Sequence, residues 1–198
     1  MDVTEEADRV ATPAPDDGPR FEALVAEVHQ PLLHYLLRRA DRETAADVLG
    51  DTLLVLWRRR ADVPEGAALP WAYGVARGCL ANARRGDRRR EALVARLVVV
   101  DPPRPVAGPD TTDLADPTLD AAMARLTTAE REVLALWAWE GLSPSEIAVA
   151  LDVTPNAVSI RLHRAKARLR DLLQSERDEA TTKDDDGTRT GTGRGREE

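Results

Sequence analysis

The stretch that most constrains this chain runs from Leu142 to Leu173, LSPSEIAVALDVTPNAVSIRLHRAKARLRDLL. It reads as two helices joined by a tight turn. Ser143 caps the first, and Pro144 takes the first helical position, where a missing N–H costs nothing. Ile147, Ala148 and Leu151 give that helix a short apolar face. Asp152-Val153 makes the turn, with Val153 directed inward, and Thr154-Pro155 repeats the start signal. In the second helix Val158, Leu162, Ala165, Leu169 and Leu172 step by four, three, four and three, so they form one stripe. Asn156, Ser159, Ile160, His163 and Arg164 point away from it. Arg161 and Arg168 flank the stripe on one side, Lys166 and Arg170 on the other. Such a helix suits a DNA major groove, its flanks meeting phosphates and its tips meeting base edges. A solvated amphipathic helix also carries charge, but it needs neither the short first helix nor the paired Ser/Thr-Pro starts. The stretch predicts a helix-turn-helix.

The rest of the composition limits the core around it. Aromatic residues are only 4% of the chain and charged residues 32%, so the core is aliphatic and helical. No apolar run approaches the ~20 residues of a membrane span. The start, MDVTEEADRV, lacks the basic and apolar regions of a signal peptide, which predicts a cytoplasmic protein. Cys79 is the single cysteine and reads as a small core residue. A net charge of −7 looks wrong for a nucleic-acid binder until it is divided along the chain. Residues 21–97 carry +3 and residues 119–174 carry 0, while 1–20, 98–118 and 175–198 carry −4, −3 and −3. The acid lies outside the two blocks that look folded, and that distribution fits DNA binding.

Taken in order, residues 1–20 mix prolines with acids and read as a disordered tail. From Phe21 one helix carries Leu24, Val25 and Val28, and Pro31 kinks or restarts it. A second helix follows Asp41 or Thr44, with Val48, Leu49, Thr52, Leu53, Val55 and Leu56 inward, ending at Trp57. The loop Ala61–Leu69 leads to a third helix from Pro70, burying Trp71, Val75, Cys79 or Leu80, and pausing at Gly86 within a run of arginines. Residues 98–118, with five prolines, are a linker rather than a loop inside a domain. A short helix then carries Leu119, Ala122, Met123 and Leu126. Thr127 or Thr128 caps the next, which buries Val133, Leu134, Leu136 or Trp137 and stops at Gly141. Residues 175–198 read as a second disordered tail. The expected fold is therefore all-α, with a helical domain at 21–97 and a helix-turn-helix, winged-helix-like domain at 119–174. His29, His34 and His163 lack metal-ligand spacing, and no glycine-rich phosphate loop is present, so neither a catalytic residue nor a metal or other cofactor is expected.

Two separated blocks resemble one family. DVLGDTLLVLWRRR and LPWAYGVARGCLANARRGDRRR are similar to the promoter −10 domain of bacterial sigma factors. LTTAEREVLALWAWEGLSPSEIAVALDVTPNAVSIRLHRAKARLR is similar to their −35 domain. With only a linker between them, the layout resembles the extracytoplasmic-function subgroup of the sigma-70 family. The resemblance covers about residues 21–173 and implies a specificity subunit with no chemistry of its own. Its partners would be promoter DNA and core RNA polymerase, through the β′ coiled coil and the β flap, with an anti-sigma factor possible. Carried over by position, Asp47, Asp51, Leu54 and Trp57 face the polymerase. Trp71, Arg77, Asn82, Arg84, Arg85, Arg88 and Arg89, with the loop Ala61–Leu69, hold the melted −10 strand. The −35 contacts fall on Thr154, Asn156, Ser159, Ile160, Arg161, His163, Arg164, Lys166 and Arg168. The linker aspartates would thread toward the RNA exit path. Gly50, Gly78, Asn82 and Asn156 depart from the commonest family residues, and Ser159-Ile160 stands where a basic residue followed by Ser is common. The alternative is a dimeric helix-turn-helix repressor or activator, which requires an effector pocket or dimer helix within 21–97.

Overall fold

The structure, a computed structural model, describes residues 17–97 and 116–187. The tail before residue 17, residues 98–115 of the linker and the tail beyond 187 lie outside the described residues. Those described form seven α-helices and no strand, in keeping with the all-α expectation.

The first three helices are α1 (Asp17–Leu37), α2 (Arg42–Arg58) and α3 (Ala68–Leu97), and each packs on the other two. Their order follows from local signals. Asp41 caps α2 by accepting from the Thr44 amide at 2.9 Å and its hydroxyl at 2.8 Å, which holds the Asp41 carboxyl below the usual carboxylate range. α1 runs through Pro31 as one helix, a cost met by the burial of Val28, Leu32, Tyr35 and Leu36 on either side. α2 buries Ala45, Val48, Leu49, Thr52 and Leu56. Thr52 is buried without an orphaned hydroxyl because it donates to the Val48 carbonyl at 2.7 Å.

The face α3 buries differs from the sequence expectation. Ala72, Tyr73, Ala76 and Leu80 are buried, whereas Trp71, Val75 and Cys79 are half-buried. Tyr73 reaches Tyr35 of α1 with ring centroids 5.2 Å apart, and the alanines let the backbones close in around that pair. Nor does α3 pause at Gly86. One glycine costs about 1 kcal/mol in a helix interior, less than the flanking helix-forming arginines and alanines supply. Leu32 is wholly buried at the centre of these helices. Leu32→Ala is expected to lower the stability of the protein by about 3 kcal/mol, measured by urea denaturation. A loss below about 1 kcal/mol would mean that the site collapses around the smaller side chain.

The later helices are α4 (Pro117–Ala124), α5 (Thr128–Ala138), α6 (Pro144–Leu151) and α7 (Pro155–Gly187). By contacts the chain parts into two compact units. One holds α1–α3 and residues 145–153; the other holds α4, α5 and α7. In the second unit α7 packs on both α4 and α5. Ala122, Leu126, Val133, Leu134, Ala135, Leu136, Leu142, Val158, Leu162 and Ala165 are the buried apolar side chains among its described residues. Leu169 and Leu172 complete the α7 stripe but stay half-buried. The turn before α7 places Asp152 at φ 54°, a left-handed conformation that Asp tolerates better than most residues. Val153 is exposed rather than turned inward; its amide instead donates to the Ala148 carbonyl at 3.0 Å and so caps α6. The last helix also outruns its expected end at 174, because Glu, Arg and Ala after Ser175 are good helix formers.

Candidate nucleic-acid interface

The start of α7 is built by Thr154, whose hydroxyl accepts from the Ala157 amide at 3.3 Å. From that cap the helix buries Val158, Leu162 and Ala165 and leaves Asn156, Ser159, Ile160, His163 and Arg164 exposed together on the opposite side. Ser159 turns its hydroxyl back to the Pro155 carbonyl at 3.0 Å, so its own proton is committed and its lone pairs face out. Arg161 is half-buried at the edge of this face.

Two cations flanking this face have partners within their own domain. The Lys166 ammonium sits 3.3 Å from the centroid of the Trp137 ring. Arg168 lies 3.6 Å from the Glu130 carboxylate and donates to the Arg125 carbonyl at 3.4 Å. Both follow α7 past the stripe toward α4 and α5, where their own domain provides the partners. Glu130 is also the reciprocal member of a capping box with Thr127 at the head of α5. Its carboxylate accepts from the Thr127 hydroxyl at 2.7 Å and amide at 2.9 Å, and these bonds hold its pKa below the usual range. A lowered folded-state pKa contributes stability at neutral pH that is lost as pH falls through that pKa. Glu130→Gln is therefore expected to flatten the acid side of the stability–pH curve, read by thermal melts at successive pH values. Parallel curves for the two proteins would remove the box from the account.

An apolar trough of about 600 Å³ opens on the same unit, lined by Leu119, Met123, Leu134, Trp137, Leu169 and Leu173, with Lys166 and Arg170 at its rim. Trp137 is 43% exposed and Trp139 54%. Sequence reasoning offered Trp137 to the core and missed the trough. The signal was there: α5 already commits Val133, Leu134 and Leu136, and two further tryptophans near its end exceed what one face holds.

The other expected surfaces lie on α2 and α3. Asp47, Asp51 and Leu54 step by four and three and are all exposed, Leu54 at 47%. Trp57 continues that line but is half-buried, edge-on to Phe21 at 5.0 Å and beneath Arg60 at 4.6 Å. On α3, Arg77, Asn82, Arg84, Arg85, Arg88 and Arg89 are exposed. Trp71 is half-buried with the Arg59 guanidinium 5.3 Å from its ring. Arg84 donates to the Arg39 carbonyl at 2.7 Å, tying the end of α1, and Arg85 pairs with Asn82. Arg88 and Arg89 each donate to the helix carbonyl four residues back, and Arg90 pairs with Asp87 at 2.9 Å. The expected loop forms a 3-10 turn at Arg60–Asp62 and a bend at Gly66 (φ 70°), and its last two residues already belong to α3.

Comparison with known proteins assigns both helical blocks to one family. Residues 24–90 match the family model of sigma-70 region 2, and residues 118–169 match that of sigma-70 region 4. The chain is 33% identical to the RNA polymerase sigma factor CarQ of Myxococcus xanthus over 158 residues, 77% of this chain and 88% of that protein. The chain belongs to the sigma-70 family, in its extracytoplasmic-function subgroup. The sigma factor NccH of Alcaligenes xylosoxydans xylosoxydans is 30% identical over 65% of this chain and 73% of its own length. In fold, the sigma factor resembles RpoE of Bartonella quintana, solved with the anti-sigma factor NepR. The TM-score is 0.55 at 22% identity, over 78% of this chain and 97% of that one. It also resembles CnrH, solved with the cytosolic domain of CnrY, with a TM-score of 0.53 at 24% identity, over 79% and 89% of the two chains. This sigma factor directs promoter recognition and transcription initiation. No described helix is long and apolar enough to cross a membrane.

Proposed function

We propose that the sigma factor divides its work among four surfaces. The outward face of α7 reads the −35 duplex, and the arginines of α3 with the loop before it hold the opened −10 strand. Asp47, Asp51 and Leu54 dock the β′ coiled coil of core polymerase, and the trough beside Trp137 receives the β flap. The two domains are 21–97 and 119–174, and the protein works in the cytoplasm, where its polymerase is. Complexes of RpoE with NepR and CnrH with CnrY support an anti-sigma factor as a further partner.

The observation that carries this reading is the exposed set Asn156, Ser159, Ile160, His163 and Arg164 on one side of a capped helix. Polar side chains so presented match the width and the donor–acceptor code of a major groove. For α3 the chemistry is different. An arginine-rich helix tracks a backbone, and unstacked bases find aromatic and cationic planes such as Trp71 and Arg59. For the trough, an exposed apolar surface with two tryptophans is the kind that a partner helix covers.

Arg164 provides the test. A bidentate contact from arginine to guanine is worth about 1–3 kcal/mol of discrimination. Arg164→Ala in the holoenzyme is expected to relax preference at a single −35 position by roughly tenfold, measured by competition between promoter duplexes. A uniform loss on every duplex would instead make Arg164 a phosphate contact.

A further inference from the structure

One member of the α7 face does not belong there by polarity. Ile160 is 46% exposed, while its neighbours on that face, Asn156, Ser159, His163 and Arg164, are polar. Single exposed apolar side chains are common on protein surfaces and carry no meaning alone. Ile160 differs in its place: it lies at the middle of the surface assigned to the groove, four residues after Asn156 and four before Arg164. When that face docks, Ile160 loses its water and must meet something.

What it can meet is limited by the chemistry of the groove floor. Bases present hydrogen-bond donors and acceptors along the major-groove edge, and an isoleucine pressed on any of these leaves it unpaired. The 5-methyl group of thymine is the one apolar group on that edge. We propose that Ile160 is a specificity-determining residue that selects thymine at one −35 position through its 5-methyl group. This deepens the assignment of α7 to the −35 duplex and rests on it. Ser159, whose proton is already given to Pro155, contributes only lone pairs beside it and so favours a base with an amino group, adenine or cytosine.

The test separates the methyl group from the rest of the base. The full-length protein with core RNA polymerase is equilibrated with randomised duplexes made either with thymidine or with deoxyuridine in its place, and bound DNA is sequenced. Deoxyuridine keeps every hydrogen-bonding group and loses only the methyl. The wild-type protein is expected to enrich thymine at one −35 position, and enrichment there is expected to fall about fourfold in the deoxyuridine pool, the worth of one buried methyl group. Ile160→Ala is expected to remove that difference at the same position and leave preferences elsewhere in place. Because the side chain is exposed, the variant is expected to melt at the wild-type temperature. A −35 motif with no methyl-sensitive position, or a methyl effect that survives in Ile160→Ala, would overturn the proposal while leaving the −35 assignment standing. If neither pool yields any −35 motif, the assignment of α7 falls and the role of Ile160 falls with it.

Discussion

Asp51→Arg is expected to weaken binding of core RNA polymerase by about a hundredfold and to leave the fold intact. Asp51 is exposed on α2 between Asp47 and Leu54, away from the buried face of Val48, Thr52 and Leu56. No packing is lost when it is replaced. If this face docks a basic partner, reversing the charge removes an attraction and adds a repulsion, and close interfacial charge pairs couple by about 1.5–7 kcal/mol. A hundredfold change in affinity corresponds to about 2.7 kcal/mol, well inside that range. The measurement is titration calorimetry or quantitative co-elution at moderate salt, with a thermal melt to verify folding. Unchanged affinity with an unchanged melt would move the polymerase contact off this face.

The second large effect concerns DNA. At physiological salt the protein alone is expected to bind a promoter duplex at least about a hundredfold more weakly than it does with core polymerase, since joining two modules on one target contributes ~10²–10⁴. Residues 119–174 carry no net charge, and Lys166 and Arg168 are engaged with Trp137 and Glu130. Few cations remain for phosphates, each of which contributes about 0.9 to the salt slope. The isolated protein should therefore show both low affinity and a shallow slope in a fluorescence anisotropy titration across salt. Core polymerase supplies the missing terms by holding both DNA-binding surfaces to one promoter. Nanomolar binding by the protein alone, as a dimer on a palindrome, would contradict this division.

The parts of the fold read correctly from sequence are those where one local signal has one structural answer. The α7 stripe of Val158, Leu162 and Ala165 is buried because no other face of that helix is apolar. Asp41, Thr127 and Thr154 cap helices because short oxygen-bearing side chains at those points have nothing better to bond. Misreadings occurred where several faces had apolar candidates. In α3, Trp71, Val75 and Cys79 are only half-buried while Ala72, Tyr73 and Ala76 are buried beside the expected Leu80, since close helix approach depends on the neighbour's shape. The partners of Lys166 and Arg168 within the domain were hidden for a related reason. A cation beside an amphipathic stripe reads as solvent-facing until its partner, Trp137 or Glu130, is brought in by folding. Of the trough the sequence showed only the surplus tryptophans of α5, because three helices contribute to it and none carries its outline alone.

The continuity of α7 has a mechanical consequence. The side chains proposed to face DNA, Asn156 to Arg164, and those lining the trough, Lys166 to Leu173, ride on one uninterrupted helix. A helix resists twist, and each residue along it turns the outward direction by about 100°. Whatever grips the trough thus sets the rotational phase of the base-reading side chains, as a key's bow sets the angle of its teeth. The ~14 Å between the midpoints of the two sets, at ~1.5 Å per residue, act as a rigid shaft. Seating at the trough would orient the other end without any hinge to adjust.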